Sequence, residues 1–458
     1  MARRNTNVKW QMHESSQRGL CRAAFLVLGI GPLLLVIAFS IAQFIPAYQE
    51  YRATAWSTWL SGRLGVDVQV AAVESLAPER LVLHGVRLSH PESRASLGRI
   101  RSVSIIRKAA RWSIQLDQPE LETRQLSSTW RLIHDWFVCR PQLAQPAIRI
   151  ECDDLRLRDS EQEQALEQIA IEIYSQAERT VVGAEFRMPT ANPGSQASVL
   201  RIVRQHNDRH LLTVLELDSG PTDLPCKLVS PVLPDILRLG DRAVFRGKLS
   251  LNQRNNAWQV NVTKSWLGGI DFGRWTSGFN SFVTGGGLIW CESFKVTDRG
   301  LQHAYGKVTV QDGRIDSNLV KACQQSLGVN MLPPVQTANV EVHSFEQLQA
   351  FFEIAPGTFR LAGGIETTRP DAEGRSRPLV PGTLIADAAG EIAYRSNFEP
   401  MPIQNLVSAL DYGQGAPAVT TASTGSVGWL AQRAVWWLPL EKSQSLTQAE
   451  ATSDPVLR

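Results

Sequence analysis

The feature that most constrains this chain is an uninterrupted apolar segment near its N-terminus. Residues 23–45 carry no charged side chain and read AAFLVLGIGPLLLVIAFSIAQFI. At about 1.5 Å per residue, a helix of this length spans roughly 35 Å, enough to cross a hydrocarbon core of about 30 Å. The segment is longer than a typical signal-peptide core, and no small-residue cleavage site clearly follows it. The sequence therefore predicts an uncleaved transmembrane helix over residues 23–45.

The charges that flank this segment predict its orientation. Only Arg52 is basic among the fifteen residues after the span, whereas the preceding tail, residues 1–22, carries one acidic residue, Glu14, and five basic ones: Arg3, Arg4, Lys9, Arg18 and Arg22. Positive residues are retained on the cytoplasmic side of a membrane. We therefore predict a cytoplasmic basic tail, a single pass through the membrane, and a body outside the cytoplasm.

Charge also limits the partners of the body. The chain has 47 Lys and Arg against 44 Asp and Glu, and the basic excess belongs to the tail. Nucleic-acid binding requires a basic excess that neutralises phosphates. We therefore expect no nucleic-acid partner. The 43% of hydrophobic residues suffices for a packed core, and the length predicts about three folding units.

Beyond residue 65 the dominant pattern is alternation with a period of two. Ile148, Ile150 and Cys152 alternate with polar residues, as do Ile169, Ile171 and Ile173. Many such short segments without a βαβ rhythm predict a mainly β fold with an antiparallel sheet. The few expected helices are an amphipathic one over residues 47–64, closed by Gly65, and two short ones near residues 317–327 and 402–410.

These patterns divide the body into three parts. We predict an N-terminal β-rich region over residues 46–230 and a C-terminal β-rich region with short helices over residues 231–412. Residues 413–458 are predicted to be a loop and a flexible polar tail.

No motif predicts catalysis, a cofactor or a metal site, so we expect a protein that is not an enzyme. His206 and His210 have the spacing of two helical metal ligands, but they flank a predicted hairpin turn, which favours surface residues. Asp153 and Asp154 are interpreted as a turn at the end of a strand rather than a cation site. The six cysteines lack metal-binding spacing. They are either scattered buried thiols or partly paired, with Cys139 and Cys152 as one conceivable pair.

The segment after the membrane helix resembles the N-terminal signature of the AsmA-like/TamB-like envelope proteins. The matching positions are Leu60, Arg63, Leu64, Gly65 and Val66, then Leu81, Leu83, Gly85, Val86, Leu88 and Pro91, then residues 100–106. His90 stands where the family usually has an aspartate before the proline. The specific resemblance covers about 50 residues, and residues 345–354, 357–361, 390–394 and 402–410 are similar to the family's C-terminal strand-rich region.

The resemblance implies an anchor in the bacterial inner membrane, a periplasmic body, and an elongated, curled β-sheet whose groove shields lipid or supports outer-membrane biogenesis. Such a groove would hold phospholipid or other acyl chains without catalytic residues. An apolar sheet face must in any case be buried, closed on itself or covered by ligand. The candidate lining residues are apolar strand positions: Leu81, Leu83, Ile148, Ile150, Ile169, Ile171, Trp258, Val260 and Trp290.

Two other functions remain open at the sequence level. The first is a membrane-tethered scaffold that binds other envelope proteins through the edges of its sheet. The second is an anchored enzyme, which would require a cleft of convergent His, Asp and Glu side chains. A continuous apolar groove would favour the lipid-handling function over both.

Overall fold

The computed structural model describes residues 14–410. Within this range it leaves out residues 43–44, 78, 109–110, 142–144, 159–162, 177, 192–193, 208–209, 231–233, 255–256, 278–280, 299, 332–340, 366–367, 371–375, 379–380 and 388–389. The predicted loop and tail over residues 413–458, and residues 1–13 of the predicted basic tail, lie outside the described residues.

The N-terminal part of the chain is helical. Helix α1 (Glu14–Phe25) leads through a π-helical segment (Leu26–Ile30) into α2 (Gly31–Ala42), and α3 (Pro46–Leu64) follows. Among the described residues, no single helix is both long enough and apolar enough to cross a bilayer. Helix α3 ends at Gly65, whose φ of 64° is the left-handed conformation that glycine adopts most easily. The predicted amphipathic helix and its end are thus confirmed.

The rest of the described chain is mainly β. Four further helices interrupt the strands: α4 (Leu126–Ile133), α5 (Phe272–Thr276), α6 (Ser317–Leu327) and α7 (Ile403–Leu410). The strands are β1 (Asp67–Gln69), β2 (Ala72–Ala77), β3 (Arg80–Ser89), β4 (Ser96–Lys108), β5 (Arg111–Glu122), β6 (Ala147–Arg158), β7 (Glu163–Gln176), β8 (Arg179–Arg187), β9 (Ser198–Asn207), β10 (His210–Asp218), β11 (Leu224–Pro225), β12 (Val244–Arg254), β13 (Ala257–Asp271), β14 (Val283–Thr297), β15 (Gly300–Asp316), β16 (Asn330–Met331), β17 (Val342–Ala355), β18 (Thr358–Gly363), β19 (Thr368–Pro370), β20 (Ser376–Pro378), β21 (Thr383–Asp387), β22 (Gly390–Tyr394) and β23 (Met401–Pro402).

All strands except the β19–β20 hairpin belong to one large, curled sheet that does not close on itself. From β3 to β17 most strands pair with their neighbours in the chain, and the sheet continues across residue 230, where β10 pairs with β12. The hairpin predicted around residues 207–208 is present as β9 and β10, with its tip outside the described residues.

The sheet is mixed rather than purely antiparallel, which corrects the prediction. Strands β5 and β6 pair in parallel. The connection between them, residues 123–146, therefore leads from the C-terminal end of β5 back to the level of its N-terminal end, where β6 begins. A parallel pair needs a connection of a dozen or more residues, usually with a helix. Here α4 and a π-helical segment (His134–Val138) supply it. The sequence pattern contained this helix, since Leu126, Trp130, Ile133 and Phe137 recur every three or four residues.

The turn predicted at Asp153 and Asp154 is wrong. Both residues lie inside β6, which pairs with β7 on either side of them. The apolar alternation shifts by one residue here, from Ile150 and Cys152 to Leu155 and Leu157. The same shift occurs in β3, β5 and β7 at residues with left-handed backbone: Gly85 (φ 62°), Gln118 (φ 46°) and Gln168 (φ 51°). Such irregularities bend a strand and change its twist without ending it.

Helices cover both ends of the sheet. Ala53 and Trp56 of α3 are buried against Val68, Val73 and Leu83 of the first strands. At the other end, α6 and the C-terminal helix α7 join one core with strands β14 to β23, including Leu319, Val320 and Ala409. The two predicted short helices therefore act as caps.

Candidate functional site

The apolar side chains of the sheet form two continuous rows on one face. Directly paired residues of neighbouring strands point to the same side of a sheet, so the strand register traces each row from strand to strand. The first apolar row runs from β3 to β18 through Leu81, Ile105, Ile114, Ile150, Ile171, Ala184, Leu200, Leu217, Leu249, Val262, Phe294, Ala304, Ile354 and Phe359.

The second apolar row lies two residues away on the same strands, or three residues away in β15, where the register shifts. It runs from β5 to β15 through Trp112, Ile148, Ile173, Val182, Ile202, Leu215, Leu251, Val260, Val296 and Leu301. No polar residue interrupts either row between its ends. Together the two rows define the apolar face of the sheet.

The opposite, outer face is mainly polar along the same strands, with one apolar run formed by Tyr174, Val181, Val203 and Val214. The row that lies between the two apolar rows in sequence consists of Ser113, Arg149, Glu172, Gly183, Arg201, Glu216, Ser250, Asn261, Lys295 and His303. Ion pairs cross this face; for example, Arg149 Nη1 lies 3.1 Å from Glu172 Oε1. The sheet therefore separates an apolar side from a water-compatible side over most of its width.

The β5–β6 crossover covers the middle of the second apolar row. Val138, at the end of the π-helical segment, is fully buried and packs in one cluster with Ile173, Val182 and Ile202. Trp130 and Phe137 pack against the same cluster. The crossover therefore occupies part of the apolar face, as a plug laid across β6 to β10.

A buried polar border follows the second apolar row next to this plug. Four residues, each less than a tenth exposed, form this border. They pair with one another from strand to strand: Thr180 of β8, Arg204 of β9, Thr213 of β10 and Gln253 of β12. Arg204 Nη1 donates to Thr213 Oγ1 at 3.1 Å and contacts His134 Nε2 at 3.4 Å. Because a buried charge needs such partners, Arg204 fixes the crossover to the sheet.

The first apolar row is less completely covered than the second. In its central part, side chains remain only partly buried and belong to none of the packed clusters: Ile150, Leu200, Leu217, Leu249 and Val262. Sequence reasoning missed the last four as lining residues. The apolar–polar alternation within β9, β10, β12 and β13 indicated that these four residues share a face with other apolar residues of their own strands. Only the strand register shows that they form one row.

Eight of the nine predicted lining residues lie on the apolar face, in different environments. Ile150 and Ile171 belong to the first row and Val260 to the second. Leu81 and the fully buried Leu83 pack under α3, Ile148 packs against the crossover, and Trp258 is buried with Val296. Ile169 lies two residues from Ile171 and is 6% exposed.

Trp290 lies on the outer face instead. It pairs with Trp266 and Lys307 and is 36% exposed. Phe294 and Val296 of the same strand are on the apolar face, so simple alternation would place Trp290 there as well. A bulge between Cys291 and Ser293 inserts one residue, and Ile289 faces the apolar side in its place.

The cysteines and metal-ligating side chains of the described chain form neither a disulfide nor a metal cluster. None of the six cysteines, all within the described residues, forms a disulfide, which contradicts a Cys139–Cys152 pair. Burial raises the pKa of the Cys152 thiol to about 11, so it stays neutral at pH 7. Within the described residues, no group of three or more His, Cys, Asp or Glu side chains is placed to hold a metal ion.

No family model, curated protein or solved structure matches this chain.

Proposed function

We propose that this protein is a single-pass inner-membrane protein of AsmA-like type whose periplasmic sheet shields lipid acyl chains along its apolar face. In this function it serves cell-envelope and outer-membrane biogenesis without catalysis. The observation that carries the proposal is the pair of uninterrupted apolar rows, partly uncovered in the centre of the sheet, opposite a polar outer face.

The dimensions of the apolar face support this function. Neighbouring strands lie about 4.8 Å apart, so the first apolar row extends about 60 Å from β3 to β18. The acyl chains of one leaflet span only about 15 Å. The row is therefore several chain lengths long, which fits a surface along which acyl chains lie in succession rather than a pocket for one small ligand.

The composition and exposure of the N-terminal apolar segment support the proposed anchor, although no single described helix is long and apolar enough to span the bilayer. The apolar segment 23–45 is flanked by five basic residues on its N-terminal side. Large apolar side chains of its helical part are exposed, among them Phe25, Val27 and Leu28 at 69%, 70% and 76%. Exposed apolar area of this kind is stabilised by lipid rather than by water.

The alternative of a scaffold that binds partners through sheet edges receives less support. Edge recruitment needs a long strand with free backbone groups. The strands at the two ends of the sheet are short: β1 and β2 have three and six residues, and β16 and β23 have two each. Helices α3, α6 and α7 cover these ends.

The test is to purify the full chain in a mild neutral detergent and to measure bound phospholipid by native mass spectrometry and lipid extraction. We expect defined phospholipid stoichiometry in the wild type. Leu249→Glu places a carboxylate in the uncovered part of the first apolar row, and a charge on a lipid-contacting surface costs about 2–3 kcal/mol. This variant should therefore lose bound phospholipid.

Ser250→Glu is the matched control, because Ser250 follows Leu249 in β12 and points to the outer face. It adds the same charge and keeps the same anchor, so it should retain the wild-type lipid content. Equal lipid content in both variants would contradict the proposal. A wild-type body without phospholipid beyond that bound by the N-terminal helices would favour the scaffold.

A further inference from the structure

An open surface cavity of about 570 Å³, whose arginine side chains are exposed, lies where β3 bends, away from the two apolar rows. The bend centres on Gly85, whose φ is 62° and whose missing Cβ would lie 2.9 Å from the Cβ of Ala71. By register, Arg101 of β4 lies between Gly85 of β3 and Gln118 of β5, the second left-handed residue. The cavity is therefore built into the backbone of the sheet rather than into a surface loop.

Three arginines line this cavity: Arg87, Arg99 and Arg101. Arg87 lies directly opposite Arg99 in the β3–β4 register. Like charges in directly opposed positions destabilise a sheet. Positive charge is thus concentrated at one point, and the direct opposition of Arg87 and Arg99 does not stabilise the sheet.

The acidic residues nearby offset only part of this charge. Glu120 accepts hydrogen bonds from Arg99 Nε at 2.7 Å and Arg99 Nη2 at 3.1 Å, and it also pairs with Arg158 at 3.1 Å. One carboxylate is therefore shared by two guanidinium groups. Arg101 is 3.8 Å from Asp117, with both side chains more than half exposed, so that pair is weak. Within the described part of the chain, Arg87 forms no ion pair.

We propose that this cavity is a binding site for a phosphate group, with Arg87 and Arg101 as its principal ligands and Arg99 held in place by Glu120. Planar guanidinium groups bind phosphate oxygens through paired hydrogen bonds. A bound phosphate supplies the negative charge that the Arg87–Arg99 pair lacks. The site does not rest on the proposed function, because it lies outside the apolar rows.

The phosphate has two conceivable carriers, a lipid headgroup and a free phosphate ester, and two probes separate them. The full chain is placed in phosphatidylcholine nanodiscs and titrated calorimetrically with inorganic phosphate and glycerol phosphate. In parallel, the same nanodiscs are incubated with phosphatidylglycerol vesicles or phosphatidylcholine vesicles and separated by flotation. Binding in the soluble arm assigns a free phosphate ester, and binding to phosphatidylglycerol vesicles alone assigns a lipid headgroup.

The variants are Arg87→Gln with Arg101→Gln, and Arg201→Gln as the matched control on the outer face of β9. Loss of charge-assisted hydrogen bonds should weaken binding at least about tenfold for each arginine. The control should bind as the wild type does. No binding in either arm, or equal binding by the double variant, would overturn the proposal.

A second measurement guards against misfolding of the variant. Without ligand, Arg87→Gln should raise the thermal midpoint or leave it unchanged, because it removes a like-charge contact. Whichever probe binds, phosphate, glycerol phosphate or phosphatidylglycerol, should then raise the midpoint of the wild type and not that of the double variant. A lowered midpoint of unliganded Arg87→Gln would contradict the repulsion on which the site is argued.

Discussion

At the scale of single residues, the outer face of the sheet depends on ion pairs whose strength varies with their surroundings. Most of them join side chains that are largely exposed and contribute little. Glu120 differs, because its side chain is 14% exposed and serves both Arg99 and Arg158. The hydrogen bond from Arg99 lowers the pKa of the Glu120 carboxyl, and the charge of Arg158 lowers it further, although burial opposes the shift.

This shift predicts how stability depends on pH. A carboxyl group with a lowered pKa in the folded state stabilises the fold above its unfolded pKa of about 4.3, and this contribution is lost as the pH falls through the folded pKa. Glu120→Gln should therefore unfold at lower urea concentration than the wild type at pH 7, and the difference should shrink below about pH 4. Glu185→Gln, at an exposed position of β8, is the control. A difference that stays constant with pH would contradict the pairing.

At the scale of elements, the crossover between β5 and β6 is the part that sequence reasoning missed, although its apolar spacing was visible. Alternation predicts that a segment is a strand and which residues share a side. It does not predict which strand pairs with which, because pairing depends on contacts between distant segments. The parallel β5–β6 pair and the crossover on the apolar face follow from that pairing.

Irregularities within strands also caused errors in the predictions made from the sequence. A single left-handed residue or bulge shifts the alternation by one position, so a bent strand resembles two strands and a turn, as at Asp153 and Asp154. The bulge in β14 moved Trp290 to the outer face for the same reason. Between such points alternation holds, and the other eight predicted lining residues share one face of the sheet.

The packing of the crossover gives a prediction at this scale. Val138→Ala removes two methyl groups from a fully buried position and leaves a cavity, which should cost about 2 kcal/mol of unfolding free energy. Hydrogen exchange should also rise in the π-helical segment and in the facing strands β7 to β9. Ile133→Ala, at a residue that is 36% exposed on α4, should cost much less. Equal losses in the two variants would show that the crossover does not pack as described.

At the scale of the whole molecule, one sheet with a single apolar face explains why the chain needs caps and a plug. Helices cover the two ends, and the crossover covers part of the middle. The central part of the first apolar row keeps only partial cover. The mainly β class and the helices near residues 47–64, 317–327 and 402–410 were predicted from the sequence, whereas their packing as end caps and the continuity of the rows required the structure.

The most direct test of the lipid-shielding face is photocrosslinking in the native membrane. A photoreactive amino acid is placed at Leu200, Leu249 and Val262 in the first apolar row, and at Arg201, Ser250 and Asn261 on the outer face of the same strands. We predict phospholipid adducts from all three positions of the apolar row and none from the outer face. Adducts of equal yield from both faces, or none from the apolar row, would contradict the account.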